Sequence, residues 1–329
     1  MVIAIVALAV IALVFAVAYI TYRIAFYAPS DPKKRKEDIY DIPKSKQYDA
    51  EREKMVRLIT EMDALPYERV FITAFDEVRL SGRYYHFADG APLRIQFHGY
   101  RGTAVRDFCG GNEWTRAHGQ NTLVVDQRAH GQSGGNTITF GIKERRDCLS
   151  WVEYACKRFG ADTKIYLSGV SMGAATVLMA TELELPKNVL GIVADCPYSS
   201  PEEVIKKECK NMGFAPWLAM PFLRLGARVF GGFSIRETTA VEAVKKATVP
   251  ILLIHGEGDL LVPCEMSEKI YHACASEKQL VTFPEAAHGI SYIMHTEAYW
   301  KVVEDFVARC EKGGDKATEE KKDEREERP

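Results

Sequence analysis

Between Pro66 and Arg309, short apolar runs the length of buried strands alternate with stretches of helical periodicity. This alternation restricts the fold more than any other feature of the 329-residue chain. It predicts an α/β class domain built on a mostly parallel sheet with helices on both faces. An antiparallel opening pair is expected at Arg69 to Phe75 and Val78 to Phe87, turning at Asp76-Glu77. Six further runs follow: Leu93–Phe97, Thr122–Val125, Ile165–Leu167, Leu190–Ala194, Ile251–Ile254 and Gln279–Phe283. Helical stretches separate them at Lys143–Arg158, Ala174–Glu184 and Met266–Ala275, and Ser291–Cys310 closes the domain.

The two ends read differently. From Met1 to Tyr22 no side chain is charged and most are Val, Ile, Ala, Leu or Phe. As a helix this run reaches roughly 33 Å, enough to cross a hydrocarbon core of about 30 Å. Tyr19, Tyr22, Tyr27 and Arg23 gather at its exit, as residues do at a membrane interface. Residues 1–22 are therefore expected to be a transmembrane anchor. A cleaved signal peptide is the competing reading, with Ala16-Val17-Ala18 resembling a cleavage site but no basic segment before the apolar run. Arg23, Lys33, Lys34, Arg35 and Lys36 all follow the helix, which by the positive-inside rule leaves the following domain in the cytoplasm. An extracytoplasmic domain is the alternative. Residues 23–50 read as a linker and 51–311 as the folded domain. It opens with a helix whose Met55, Leu58, Ile59 and Met62 share one face. Residues 312–329 are almost all charge and are expected to be a disordered tail.

Composition narrows the function by exclusion. The formal net charge is −2, without the basic surplus of a nucleic-acid binder. The eight cysteines form no C-x-x-C pair and no zinc-finger spacing, and read as small buried hydrophobes.

Chemistry in an open parallel sheet gathers beyond the carboxyl ends of the strands. There the chain offers His98-Gly99-Tyr100, Asp126-Gln127-Arg128, Gly169-Val170-Ser171, Asp195-Cys196, His255-Gly256 leading to Asp259, and His288. Gly169-Val170-Ser171-Met172-Gly173 lies between a strand and a helix, the setting of a nucleophile elbow. A hydroxyl needs a base to take its proton, and the base needs an acid to orient it. His288, after the last strand, is the expected base. Asp259 is the expected acid, with Asp195 as runner-up, and His295 is the rival histidine. The oxyanion hole is assigned to the backbone N–H groups of Met172 and Tyr100.

Together these motifs resemble the α/β-hydrolase superfamily, and within it the bacterial serine aminopeptidase-like branch that includes esterases and lysophospholipase-like enzymes. The loop Asp126-Gln127-Arg128-Ala129-His130-Gly131-Gln132-Ser133-Gly134 is similar to the family's structural D-x-R-G-H-G-x-S loop, with Ala129 in place of a glycine. The resemblance implies an eight-stranded α/β-hydrolase fold with a small helical cap at about 198–246. It implies ester hydrolysis by Ser171, His288 and Asp259 with no metal or organic cofactor. The cap is rich in apolar residues, so Trp217, Phe222 and Phe230 are candidates for an acyl pocket taking a small-molecule ester or lipid-like substrate. The alternatives are an aminopeptidase, with Glu202 or Glu203 holding the substrate amine, an acyltransferase, or a non-catalytic membrane scaffold.

Overall fold

The structure is a computed structural model describing residues 1–35, 38–44 and 46–326, with side chains described as far as Lys312. Lys36 of the basic run and residues 327–329 of the expected tail fall outside the described residues. Eight strands form one sheet: β1 Glu68–Thr73, β2 Arg79–Tyr85, β3 Leu93–Phe97, β4 Asn121–Asp126, β5 Ile165–Val170, β6 Val189–Asp195, β7 Ile251–Gly256 and β8 Lys278–Phe283. Their spatial order is β1-β2-β4-β3-β5-β6-β7-β8, with β2 antiparallel to both its neighbours and every other pairing parallel. All of β3, β4 and β7 is buried; β7 opens as the apolar run Ile251-Leu252-Leu253-Ile254, while β3 alternates and buries Arg94 and Gln96 between Leu93, Ile95 and Phe97.

The helices are α1 Val2–Ala25, α2 Lys46–Asp63, α3 Ala104–Ala117, α4 Glu144–Phe159, α5 Met172–Met179, α6 Pro201–Asn211, α7 Pro216–Val229, α8 Ala240–Val244, α9 Glu265–Ala273, α10 Ser291–Met294 and α11 Thr296–Glu326. One face of the sheet carries α4, α5, α8 and α9, which pack Trp151, Val177, Ala243 and Ile270 into the main core. The other carries α2, α3, α10 and α11. On α2, Met55, Leu58, Ile59 and Met62 are all buried against that second face. Each such side chain contributes about 1.5–3 kcal/mol relative to exposure.

Four features depart from the expected pattern. Residues after Ala25 are no free linker. Phe26 and Ile42 are buried, and the Arg35 guanidinium donates to the carbonyls of Gly131, Ser133 and Gly135. The helix α3 has no counterpart in the sequence reading, because Gly110-Gly111 interrupts its apolar pattern. Gly110 is required there, since a Cβ would overlap the Tyr292 ring. The closing helix is broken at His295 into α10 and α11. Finally, α11 continues to Glu326 through most of the stretch expected to be disordered, where Lys, Glu and Arg, all good helix formers, dominate.

The loop Asp126 to Gly134 is held by short polar contacts. Ser133 Oγ donates to the Asp126 carbonyl, and the Arg128 guanidinium lies between Asp147, at 2.6 Å, and Asp76, at 3.0 Å. Ala129 sits in this loop at φ 63°, the left-handed region that favours glycine. We expect Ala129→Gly to stabilise the fold by roughly 0.5–1 kcal/mol. Urea unfolding would show this as a higher midpoint at unchanged slope, and a lower midpoint would refute it.

Candidate active site

The chain turns sharply between β5 and α5, and Ser171 takes the whole turn. Its backbone lies at φ 55°, ψ −114°, a conformation that costs of order 1–3 kcal/mol for a non-glycine residue. The glycines on either side allow it. A Cβ at Gly173 would overlap the Phe97 carbonyl, and one at Gly169 would overlap the backbone of Gly173. The Ser171 N–H donates to the Asp195 carbonyl at 2.8 Å, which ties the turn to the end of β6.

Three side chains meet at this point. Ser171 Oγ lies 2.8 Å from His288 Nε2, and His288 Nδ1 lies 2.6 Å from Asp259 Oδ2. Nδ1 donates to the carboxylate, which leaves Nε2 as the acceptor for the serine hydroxyl. Asp259 Oδ1 accepts the N–H groups of Leu261, at 2.9 Å, and Val262, at 2.8 Å. Burial opposes its charge, but hydrogen bonds from His255 and His288 win and hold the carboxyl well below the usual range. For His288 burial also opposes charge, yet Asp259, with Asp195 and Asp107 beyond it, raises the imidazole above 6.5.

The other candidates stand apart from this line. Asp195 Oδ2 accepts the Tyr299 hydroxyl at 3.0 Å, and burial pushes its carboxyl up to about 6. His295 is bonded to the Pro284 carbonyl at 3.0 Å. Glu202 is surrounded by Lys206, Arg224 and Arg236, and Glu203 pairs with Lys269 and Ser199. Two residues have supporting roles at the site that the sequence reading did not assign to them. His255 Nε2 donates to the Val262 carbonyl at 2.8 Å and lies 3.4 Å from Asp259, and its Nδ1 accepts from Ser267. Tyr48, from the supposed linker, donates its hydroxyl to the His288 carbonyl.

Among the described residues, no protein acceptor meets the N–H of Met172 or of Tyr100. The Tyr100 loop is fixed on three sides. Asp107 accepts the Gly99 N–H at 2.8 Å, the Arg101 N–H donates to His130 Nε2 at 3.0 Å, and the Tyr100 hydroxyl donates to the Ala25 carbonyl at 2.8 Å. Arg101 does not face the cavity: its guanidinium donates to the Ile24 carbonyl at 2.7 Å. His130 is buried beside His98 and held well below 6.5, so it accepts as a neutral ring.

A cavity of about 450 Å³ opens in front of Ser171 and His288. Tyr48, Met55, Phe108, Leu261, Ile290 and Ile293 give it an apolar wall. None of Trp217, Phe222 and Phe230 lines it, which corrects their assignment to an acyl pocket. The reason is packing. The cap helix α7 lies against α1, and the Phe230 ring packs edge-on against Tyr19 and tilted against Tyr22, with ring centroids 5.1 and 6.0 Å apart. The aromatic content of the cap was legible, but its direction was not.

Ligand atoms of Cys196, Asp259 and His288 lie within 4.8 Å of one another. The donor set suits a metal poorly. His288 Nδ1 is committed to Asp259, and burial raises the Cys196 thiol well above its usual value, away from the thiolate a metal needs.

The profile of the prolyl oligopeptidase family (Peptidase_S9) matches residues 137–313, a span that contains Ser171, Asp259 and His288. Uncharacterized protein YqkD of Bacillus subtilis is 28% identical over 190 residues, 57% of this chain. The chain covers only 62% of that relative's length. Protein bem46 of Schizosaccharomyces pombe is 21% identical over 74% of this chain and 77% of its own. Among solved structures, the Pyrococcus furiosus esterase Pf2001 superposes with a TM-score of 0.60 at 25% identity, over 76% of this chain and 94% of that one. Est1E of Butyrivibrio proteoclasticus, solved with ferulic acid bound, gives 0.56 at 24% identity, over 73% and 98%, a likeness of fold.

The geometry predicts a His288 titration above 6.5, with the neutral ring lost as pH falls through that value. In Asp259→Asn the burial remains while the carboxylate is gone, so the midpoint should drop below the wild-type one. Imidazole NMR titration of both proteins tests this, and an unchanged midpoint would remove Asp259 as the cause.

Proposed function

The chain belongs to the prolyl oligopeptidase family and is a hydrolase of α/β-hydrolase fold, and from that premise we propose that it cleaves carboxylic esters of apolar acids. The observation carrying this reading is the line Asp259–His288–Ser171 at 2.6 and 2.8 Å, opening on an apolar cavity. In the proposed cycle His288 Nε2 takes the Ser171 proton as Oγ attacks the ester carbonyl. Asp259 holds the imidazole in the required tautomer and stabilises the imidazolium. The N–H groups of Tyr100 and Met172 receive the developing oxyanion, a role for which their unsatisfied donors suit them. His288 then returns the proton to the departing alcohol. Water, deprotonated by the same nitrogen, releases the acid and restores Ser171.

Two observations favour an ester over an aminoacyl amide. Glu202 and Glu203, the candidates for binding a substrate amine, are already paired with cations. The cavity wall in front of Ser171 is largely Met, Phe, Leu, Ile and Tyr. We further propose that α1 is retained as an anchor, because Ala18 and Tyr22 are buried on the domain and cleavage after Ala18 would remove part of that contact. The basic residues following it favour a cytoplasmic domain.

Ser171→Ala should lower kcat by roughly 10⁴- to 10⁶-fold on p-nitrophenyl esters and abolish fluorophosphonate labelling. A near wild-type rate would end the mechanism. For the acyl site, Phe108→Ala should lower kcat/KM for an octanoyl ester by about tenfold relative to an acetyl ester. Trp217→Ala should leave that ratio unchanged. The reverse pattern would return the acyl pocket to the cap.

A further inference from the structure

We propose that α7 is a second membrane-contacting element, which with α1 docks the cap into one leaflet of a phospholipid bilayer. Helix α7 begins Pro216-Trp217-Leu218-Ala219-Met220-Pro221-Phe222-Leu223 and meets its first charge only at Arg224. Met220 and Leu223 are buried toward the domain. Trp217 is 79% exposed and Leu218 55%, and Met212 and Phe214 in the preceding turn are 62% and 58% exposed. Contiguous apolar surface of this kind on a folded domain marks an interaction site.

The occupant follows from what lies alongside. Helices α1 and α7 run side by side in the same direction: Ala18 meets Gly226, Tyr22 meets Phe230, and Phe26 meets Phe233. The contact is close, because a Cβ at Gly226 would overlap the Ala18 carbonyl, as in small-residue helix pairs within membranes. An offset that sets Gly226 on Ala18 carries Trp217, nine residues earlier, to the level of Ala9, in the middle of the uncharged run.

Length makes the same point. Only Val2 to Leu13 of α1 stands wholly clear of the domain, about 18 Å of helix against a hydrocarbon core of about 30 Å. An apolar slab that takes in α1 therefore extends along the stretch where α7 begins. Charges return toward the opposite end of both helices, with Arg23 on α1 and, on α7, Arg224 paired with Glu202 and then the exposed Arg228 at headgroup level. A membrane provides this order, apolar first and cationic at the boundary.

The inference rests on the reading that α1 enters the bilayer, and the test separates the two. The full-length protein is reconstituted in phosphatidylcholine–phosphatidylglycerol vesicles whose acyl chains do or do not carry bromine, and tryptophan emission is compared. Trp217→Phe isolates the Trp217 component by difference, since Trp114, Trp151 and the partly buried Trp300 are present in both proteins. Phe15→Trp in the Trp217→Phe background reports α1 itself. Bromine should lower the Trp217 component by about half, because interfacial helices bury their apolar face roughly 5–10 Å. Quenching of the indole introduced by Phe15→Trp, without quenching of Trp217, would overturn the docking of α7 while leaving the anchor. That result is also expected if a second copy of the chain covers the patch. Quenching of neither would overturn both.

Discussion

No side chain fits between the end of β3 and the start of α5. The two backbones approach so closely that Gly173 lies on the Phe97 carbonyl, and Gly169 in turn lies on Gly173. This pinch forces Ser171 into its strained turn, and the surrounding packing over-determines it: every residue of α5 is buried. One close approach thus does three things. It lifts the Ser171 side chain above the strand ends, leaves the Met172 N–H at a helix start without an internal partner, and sets β3 and β5 side by side so that the Tyr100 loop faces the serine.

The polar residues around this point act mainly as scaffolding. His255 fastens β7 to the loop that carries Asp259 through Val262 and Ser267. The buried ring pair His98 and His130 does the same for the loops after β3 and β4, with Gln127 N–H donating to His98 and Arg101 N–H to His130. A neutral imidazole suits this role, since it offers one donor and one acceptor in fixed directions without adding a buried charge. Histidines thus gather at the strand ends although only His288 faces the serine.

The sheet was legible because its strands are short segments bounded by turns and rich in apolar residues, and β3 could be read off residue for residue although Arg94 and Gln96 alternate with Leu93, Ile95 and Phe97. The elbow was legible for a similar reason, because its glycines mark a local close approach. What stayed hidden depends on long-range direction. The helix α3 was masked by Gly110-Gly111, whose cause is the Tyr292 ring far along the chain. Tyr48 and Met55 reach the cavity only because the segment between α1 and α2 wraps back over the domain. The cap aromatics were visible as apolar, but the sequence does not say whether such a helix turns toward the serine or toward α1.

The junction between α1 and the site follows from helix chemistry. A helix ends with carbonyls that have no partner inside it, and leaving them unpaired away from water is costly. In α1 the Ile24 carbonyl is taken by the Arg101 guanidinium and the Ala25 carbonyl by the Tyr100 hydroxyl. The residues that cap α1 are therefore those of the loop whose N–H is proposed to receive the oxyanion. Severing the chain after α1 would leave two loop donors unpaired. Arg35, which holds the carbonyls of Gly131, Ser133 and Gly135, extends the same connection to the neighbouring loop. The apolar helix is thus bonded into the loops around the site, and its geometry and that of the Tyr100 loop are one structural problem rather than two.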